Sequence, residues 1–254
     1  MIHAQPIAQH SATGSRRMWL RSAWLMAALV AVSTATSAQP VTGNGQPASE
    51  ARTTAAFTAI AVQDSIGLEL RQGSPASVVV HADGNLLSLL QSEVDNQQTL
   101  RLRWQHGVSV HTRNRVWVEV TAPVVQALSS AGSADIAVDT LQGTRLSVSL
   151  RGSGGLSAKA LQLDELSLAL NGSGQATLAG KATRCDASLA GSGRIDAARL
   201  QADSVRVSIS GSGGADVQAV RALTVNIAGS GDVTYSGEPS LQTAVAGSGR
   251  VRKR

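Results

Sequence analysis

The sequence has very few aromatic residues: its 254 residues include one Phe, one Tyr and four Trp. A hydrophobic core must therefore be built from Val, Leu, Ile and Ala, which the 43% hydrophobic content supplies. Small and β-branched side chains of this kind favour thin, stacked β-sheets over a thick globular centre.

Cysteine is almost absent as well, because Cys185 is the single one in the chain. One cysteine excludes an intrachain disulfide framework, and its distance from the N-terminus excludes a lipid attachment next to a signal peptide. No redox or nucleophilic partner for this thiol is recognisable, and its place among apolar residues predicts a small buried side chain.

Acidic residues are missing from the first 38 residues, which are typical of an export signal peptide. Arg16, Arg17 and Arg21 form a basic start, residues 24–32 an apolar stretch, and residues 36–38 a small-residue cleavage site. The apolar stretch is shorter than the ~20 residues of a membrane span, so we expect cleavage after Ala38 and no transmembrane segment afterwards. The paired arginines leave the twin-arginine route open beside the ordinary secretory route.

The positive charge is confined to the two ends of the chain. The net charge of +5 includes the three signal arginines and four basic residues within 250–254, and the remainder carries −2. A nucleic-acid partner requires a basic patch within the fold, so the sequence predicts none.

Gly-Ser-Gly recurs six times in the second half of the chain, after a degenerate copy at Gly132. Counted from Gly132, the first glycines follow at spacings of 20, 20, 19, 20, 18 and 18 residues. Such a regular period indicates a solenoid, with glycine supplying sharp corners. The predicted corner residues are Gly152, Gly154, Gly172, Gly174, Gly191, Gly193, Gly211, Gly213, Gly229, Gly231, Gly247 and Gly249.

Apolar and polar residues alternate ahead of each corner, and an apolar residue always stands two positions before the first glycine. This core column consists of Leu150, Leu170, Leu189, Ile209, Ile227 and Val245. A period of two indicates a strand with one buried face, and a second apolar strand follows every corner.

We therefore predict an all-β fold, a right-handed parallel β-solenoid whose rungs hold two or three short strands. Right-handed winding is the default for parallel crossovers. Six rung intervals at ~4.8 Å give a rod of roughly 29 Å. Helical repeats are disfavoured because glycine costs about 1 kcal/mol in a helix interior.

Three regions precede or contain the repeats. Residues 39–54 are predicted to be a flexible leader, residues 55–123 a strand-rich cap closing one end, and residues 124–254 the repeat region. Within the cap, residues 83–94 suggest a short helix packed by Leu86, Leu89 and Leu90.

Residues 55–254 resemble a known family, the head GIN domain of "putative auto-transporter adhesins", an exported bacterial domain of unknown biochemical function. The matching segments are FTAIAVQDSIGLELRQG, GNLLSLL, RVWVEVTAP, GSGDVTYSGEPS and AGSGRV. The resemblance implies an extracytoplasmic β-helix-like fold and no established catalytic residues.

The glycine corners do not match a catalytic or phosphate loop. A phosphate loop or a nucleophile elbow precedes a helix, whereas strands follow here. We expect the corner serines to form a stacked hydroxyl ladder. Calcium is the strongest chemical alternative, but the candidate aspartates Asp135, Asp196, Asp216 and Asp232 do not form one column, so we read them as turn residues.

The remaining candidates also favour structural roles. His106 and His111 are expected in a solvated loop, and Trp104 and Trp117 are expected to pack the cap. Exposure of both tryptophans on one surface would instead favour stacking against a sugar or a base. We predict no cofactor, no metal ligands and no catalytic residues.

The functional hypothesis is an exported, non-enzymatic β-solenoid, periplasmic or at the cell surface, that interacts with an envelope or surface partner, protein or glycan. Two alternatives stay open: a carbohydrate-active β-helix enzyme, which would need clustered carboxylates, and a purely structural periplasmic protein. The oligomeric state is not predicted.

Overall fold

The structure, a computed structural model, describes residues 39–254. In this range the only helical element is a 3-10 turn, Leu87–Leu89, and all the others are strands. The strands are β1 (Gln39–Thr42), β2 (Pro47–Arg52), β3 (Ala59–Asp64), β4 (Gly67–Gln72), β5 (Ser77–Asp83), β6 (Leu90–Val94), β7 (Thr99–Trp104), β8 (Val108–His111), β9 (Trp117–Ala122), β10 (Ala127–Gly132), β11 (Ile136–Gly152), β12 (Gly155–Gly172), β13 (Gln175–Gly191), β14 (Arg194–Gly211), β15 (Gly214–Gly229), β16 (Asp232–Ser236), β17 (Ser240–Gly247) and β18 (Arg250–Lys253).

Strands β10 to β18 stack as parallel rungs, and the predicted β-solenoid is confirmed, with about six turns. Equivalent residues of successive repeats pair directly across the rungs. Leu150 lies opposite Leu170, which lies opposite Leu189 on its other side. The sequence period is therefore the rung length, because each repeat places its apolar residues above those of the previous one.

Each long strand bends around three sides of its rung. In β12 the alternation of buried and exposed residues is interrupted by Lys159-Ala160 and again by Asp164-Glu165, where two neighbours both point away from the core. The rung therefore has a first face after the glycine corner (155–158), a short second face (161–163) and a third face before the next corner (166–170).

The predicted core column is buried with one exception. Leu150, Leu170, Leu189, Ile209 and Ile227 are at most 3% exposed. Val245 is 44% exposed, so its assignment to the core was wrong. The physical reason is that β17 pairs only with β15, and no described strand covers its other side.

Backbone groups hold the glycine corners together. The first glycine of every Gly-Ser-Gly has a φ between +118° and +132°, a region that favours glycine. The amide of Ser173 donates to the carbonyl of Gly152 (3.0 Å), and that of Ser192 donates to Gly172 (3.0 Å). The expected hydroxyl ladder was wrong, because these backbone amides, rather than side-chain hydroxyls, satisfy the carbonyls of the previous rung.

The region before the repeats extends two faces of the solenoid and ends each in an antiparallel pair. On the first face, β4 follows β11, then β9, β5 and β2, and β5 runs antiparallel to both β9 and β2. On the third face, β10 is followed by β3, β7 and β6. The helix suggested for residues 83–94 was wrong: the helical part is the single 3-10 turn Leu87–Leu89, and β6 follows at once.

Residues 39–54 are not a flexible leader, because β1 pairs with β8 and β2 covers the edge of β5. Asp83, which is fully buried, lies between this segment and the loop after β8, and the backbone amide of Gly45 donates to its carboxylate. It accepts hydrogen bonds from Thr112 and Asn114, and these bonds lower the pKa of its carboxyl. Strand pairing at an open sheet edge needs backbone groups more than an apolar pattern, so composition alone did not reveal it.

The predicted signal peptide and its cleavage site lie outside the described residues. Within 39–254, no helix is long and apolar enough to span a membrane.

Candidate functional site

Two open cavities lie where the cap meets the first complete rungs, and both are lined by Arg115 and Asp135. The first has a volume of about 370 Å³ and reaches Trp104 and His111 in the cap. The second has a volume of about 550 Å³ and extends over the first face to Gln175 and Thr177. We call the two together the junction groove; its main lining residues are Ser65, Trp104, Asn114, Arg115, Ser133, Asp135, Ser153, Ser157, Ser173, Gln175 and Thr177.

Arg115 is fixed at the centre of the groove by two contacts. Its Nη1 donates to Oε1 of Glu69 at 2.8 Å. Its guanidinium carbon lies 5.2 Å from the ring centroid of Trp117, a cation–π distance. The ring of Trp117 in turn stacks on His81, with centroids 4.4 Å apart and planes 5° from parallel. Arg115 is thus paired with one carboxylate and oriented by the stack, while 58% of its side chain stays exposed to solvent.

The floor of the groove is made of small side chains on neighbouring strands. Asp135, Gly155 and Gln175 follow one another across the rungs, and Oδ1 of Asp135 accepts the amide of Gly155 at 3.0 Å. Ser157 and Thr177 form the adjacent row. Because Gly155, Ser157 and Thr177 carry no long side chain, the channel stays open across neighbouring rungs.

The family model described as "Putative auto-transporter adhesin, head GIN domain" matches residues 56–239. The chain belongs to this family. No curated protein is significantly similar to it.

Solved structures show that other bacterial proteins share this head GIN fold. A protein described as a "putative adhesin" from Bacteroides fragilis is 21% identical, with a TM-score of 0.77 over 84% of this chain and 100% of that chain. A "putative lipid binding protein" from Parabacteroides distasonis is 26% identical, with a TM-score of 0.72 over 85% and 100%. A "putative adhesin" from Parabacteroides merdae is 24% identical, with a TM-score of 0.69 over 85% and 100%.

The two tryptophans of this head GIN domain differ in their surroundings. Trp104 packs against the core, as expected, and also borders the groove. Trp117 lies on the outer face of β9 instead, while Val116 and Val118 point inward. The alternation in VWVEV, residues 116–120, indicates this orientation of Trp117, because its valines occupy the buried positions of the strand. Arg115 was not recognised, since nothing in its local sequence marks it as a site residue.

The other candidates do not converge on a chemical centre. Cys185 is 2% exposed, as predicted, and burial raises the pKa of its thiol to about 12, so it stays protonated. Asp196 accepts the amide of Ala198, and Asp216 pairs with Arg194. Among the described residues, no three His, Cys, Asp or Glu side chains are placed to hold a metal ion.

Proposed function

We propose that this head GIN domain is an exported, non-enzymatic module that attaches to the cell envelope or to a cell surface through the junction groove. The observation that carries the proposal is the groove itself. Trp104, Arg115 and Asp135 come from separate parts of the sequence and border one open channel over the rungs. Export is supported by the signal-like residues 1–38 and by the family's description as adhesins.

A binding role agrees better with the groove than a hydrolytic role. Glycoside hydrolysis uses two carboxyl groups flanking the scissile bond. Asp135 is the only acidic residue among those lining the two cavities, and it already accepts a backbone amide. Glu69, the nearest further acid in the ion-pair network, is held by Arg115.

A pair of serine variants tests this proposal. Ser157 and Ser167 are both exposed on β12, but Ser157 lines the groove whereas Ser167 lies on the third face. Ser157→Arg should obstruct the channel, and Ser167→Arg adds the same charge elsewhere. The measurement is co-sedimentation of fluorescently labelled residues 39–254 with whole bacterial cells and with isolated envelopes.

We expect saturable binding that Ser157→Arg weakens and Ser167→Arg leaves unchanged. Equal binding by both variants would place the contact outside the groove. No binding at all would favour the purely structural alternative, and release of reducing sugar from the envelopes would favour the enzymatic one.

A further inference from the structure

We infer that the junction groove binds an uncharged oligosaccharide chain, an assignment that rests on the proposed function and names its ligand. The argument begins with the shape of the site. Asp135 directly precedes β11, and Gly155 and Gln175 are the first residues of β12 and β13, so the floor spans two strand spacings, or ~10 Å, before the cap side is counted. An open channel of this length suits a short linear chain better than a single compact molecule.

The lining consists mainly of small, uncharged hydrogen-bonding groups. Hydroxyls come from Ser65, Ser133, Ser153 and Ser173, and amides come from Asn114 and Gln175. Groups of this kind can both donate and accept, as can the hydroxyls of a sugar. Trp104 adds an aromatic wall at the cap end, where the apolar face of a sugar ring can pack.

Charge argues against a polyanion as the ligand. Arg115 is the only Lys or Arg among the residues that line the two cavities, and Glu69 pairs with it at 2.8 Å. Asp135 contributes a negative charge within the channel. Nucleic acid and acidic glycans require unpaired cations along their path, which this lining does not offer.

Backbone pairing argues against a peptide added as a strand. Recognition by strand addition needs an open sheet edge with free amides and carbonyls. The floor strands β4, β11, β12 and β13 each pair with a neighbour on both sides. On the floor, side chains alone are therefore available for contact, as in recognition of a sugar chain.

Tryptophan fluorescence provides a local readout, because Trp104 and Trp117 are the only tryptophans in residues 39–254. This fragment contains the entire described hydrophobic core and lies within one compact unit, Ser37–Arg254. The probes are cellotetraose, maltotetraose, mannotetraose and N-acetylchitotetraose, with tetragalacturonate as the anionic comparison. Each titration is repeated by calorimetry.

At least one neutral tetrasaccharide should bind saturably and change the fluorescence. Trp104→Ala and Ser157→Arg should each weaken that binding at least about tenfold, the loss expected when a central contact is removed. Trp104→Phe should restore part of it, and Ser167→Arg should leave it unchanged. Ser157→Arg leaves the core untouched, so it decides the matter if Trp104→Ala fails to fold.

No saturable binding of any neutral probe, tighter binding of tetragalacturonate, or equal binding by Ser157→Arg would overturn the saccharide assignment. If groove-dependent envelope binding persists in that case, the proposed function stands and only its ligand is wrong. If envelope binding is also indifferent to Ser157→Arg, both proposals fail.

Discussion

Replacing the second glycine of a corner by alanine should test directly how closely the rungs are stacked. A Cβ at Gly231 would lie 2.6 Å from the carbonyl oxygen of Gly213 and 2.7 Å from Cγ2 of Ile209. Carbon atoms in good contact are about 3.5–4.0 Å apart, so the methyl group would overlap Ile209 by roughly 0.8 Å or more. The carbonyl cannot move freely either, because it accepts the amide of Asp232 at 3.2 Å.

The expected cost of Gly231→Ala is about 2–4 kcal/mol of unfolding free energy, since overpacking costs ~1–3 kcal/mol and here a backbone group must shift as well. A loss of about 3 kcal/mol corresponds to a fall in Tm of roughly 6–12 °C for a domain of this size. Urea unfolding followed by circular dichroism, with the thermal midpoint measured in parallel, gives both values.

Gly143→Ala is the matched control, because a Cβ there meets no atom within 4 Å. It should leave stability unchanged or raise it by up to about 1 kcal/mol through the unfolded chain. Gly211→Ala should cost more than Gly231→Ala, since Gly211 also has a φ of +128°. Equal costs for Gly231→Ala and Gly143→Ala would show that the corners of adjacent rungs are not in close contact.

Three further predictions concern the core, the thiol and the N-terminal strands. Ile209→Asp should unfold the solenoid by burying an unpaired charge, whereas Ser208→Asp should be mild; equal losses in thermal midpoint would refute the inside and outside assignment. The thiol of Cys185 has a pKa raised from 9.0 to about 12, so the folded protein holds this proton more tightly than the unfolded chain does. Its contribution to the free energy of unfolding is complete below pH 9.0 and is lost as pH rises toward 12. At pH 10 the loss should be about 1 kcal/mol in urea unfolding, and Cys185→Ala should lack this component; identical pH profiles would contradict the assignment. Asp83→Ala should release β1 and β2, so amides of residues 39–52 should exchange with deuterium faster while the solenoid amides do not; unchanged exchange would contradict the anchoring role.

The solenoid was predictable because its information is local and repeated. Six copies of Gly-Ser-Gly with apolar residues at fixed distances determine which side chains point inward, as Leu170 and Ile209 do. The repeats must then stack in register, since each repeat can bury its apolar face only against another repeat. The exposure of Val245 could not be predicted in this way, because burial of its side chain depends on a strand covering β17 and not on the apolar pattern itself.

The N-terminal strands were missed for a different reason. Residues 39–54 lack the apolar alternation of a core strand, and their order comes from pairing with β5 and β8 and from the contacts of Asp83. Backbone hydrogen bonding at a sheet edge depends little on the side chains and tolerates even proline, such as Pro40 in β1 and Pro47 in β2, so composition carries little information about it.

The sequence alone determined the rung length, the glycine corners and the choice of core side chains, because these depend on spacings within one repeat and between adjacent repeats. Only the tertiary structure decided the site. Trp104, Arg115, Asp135 and Gln175 are separated along the chain, and they meet because the cap and the first rungs share continuous sheets. A groove is a property of surfaces brought together by folding, and no local spacing encodes which outward side chains will border it.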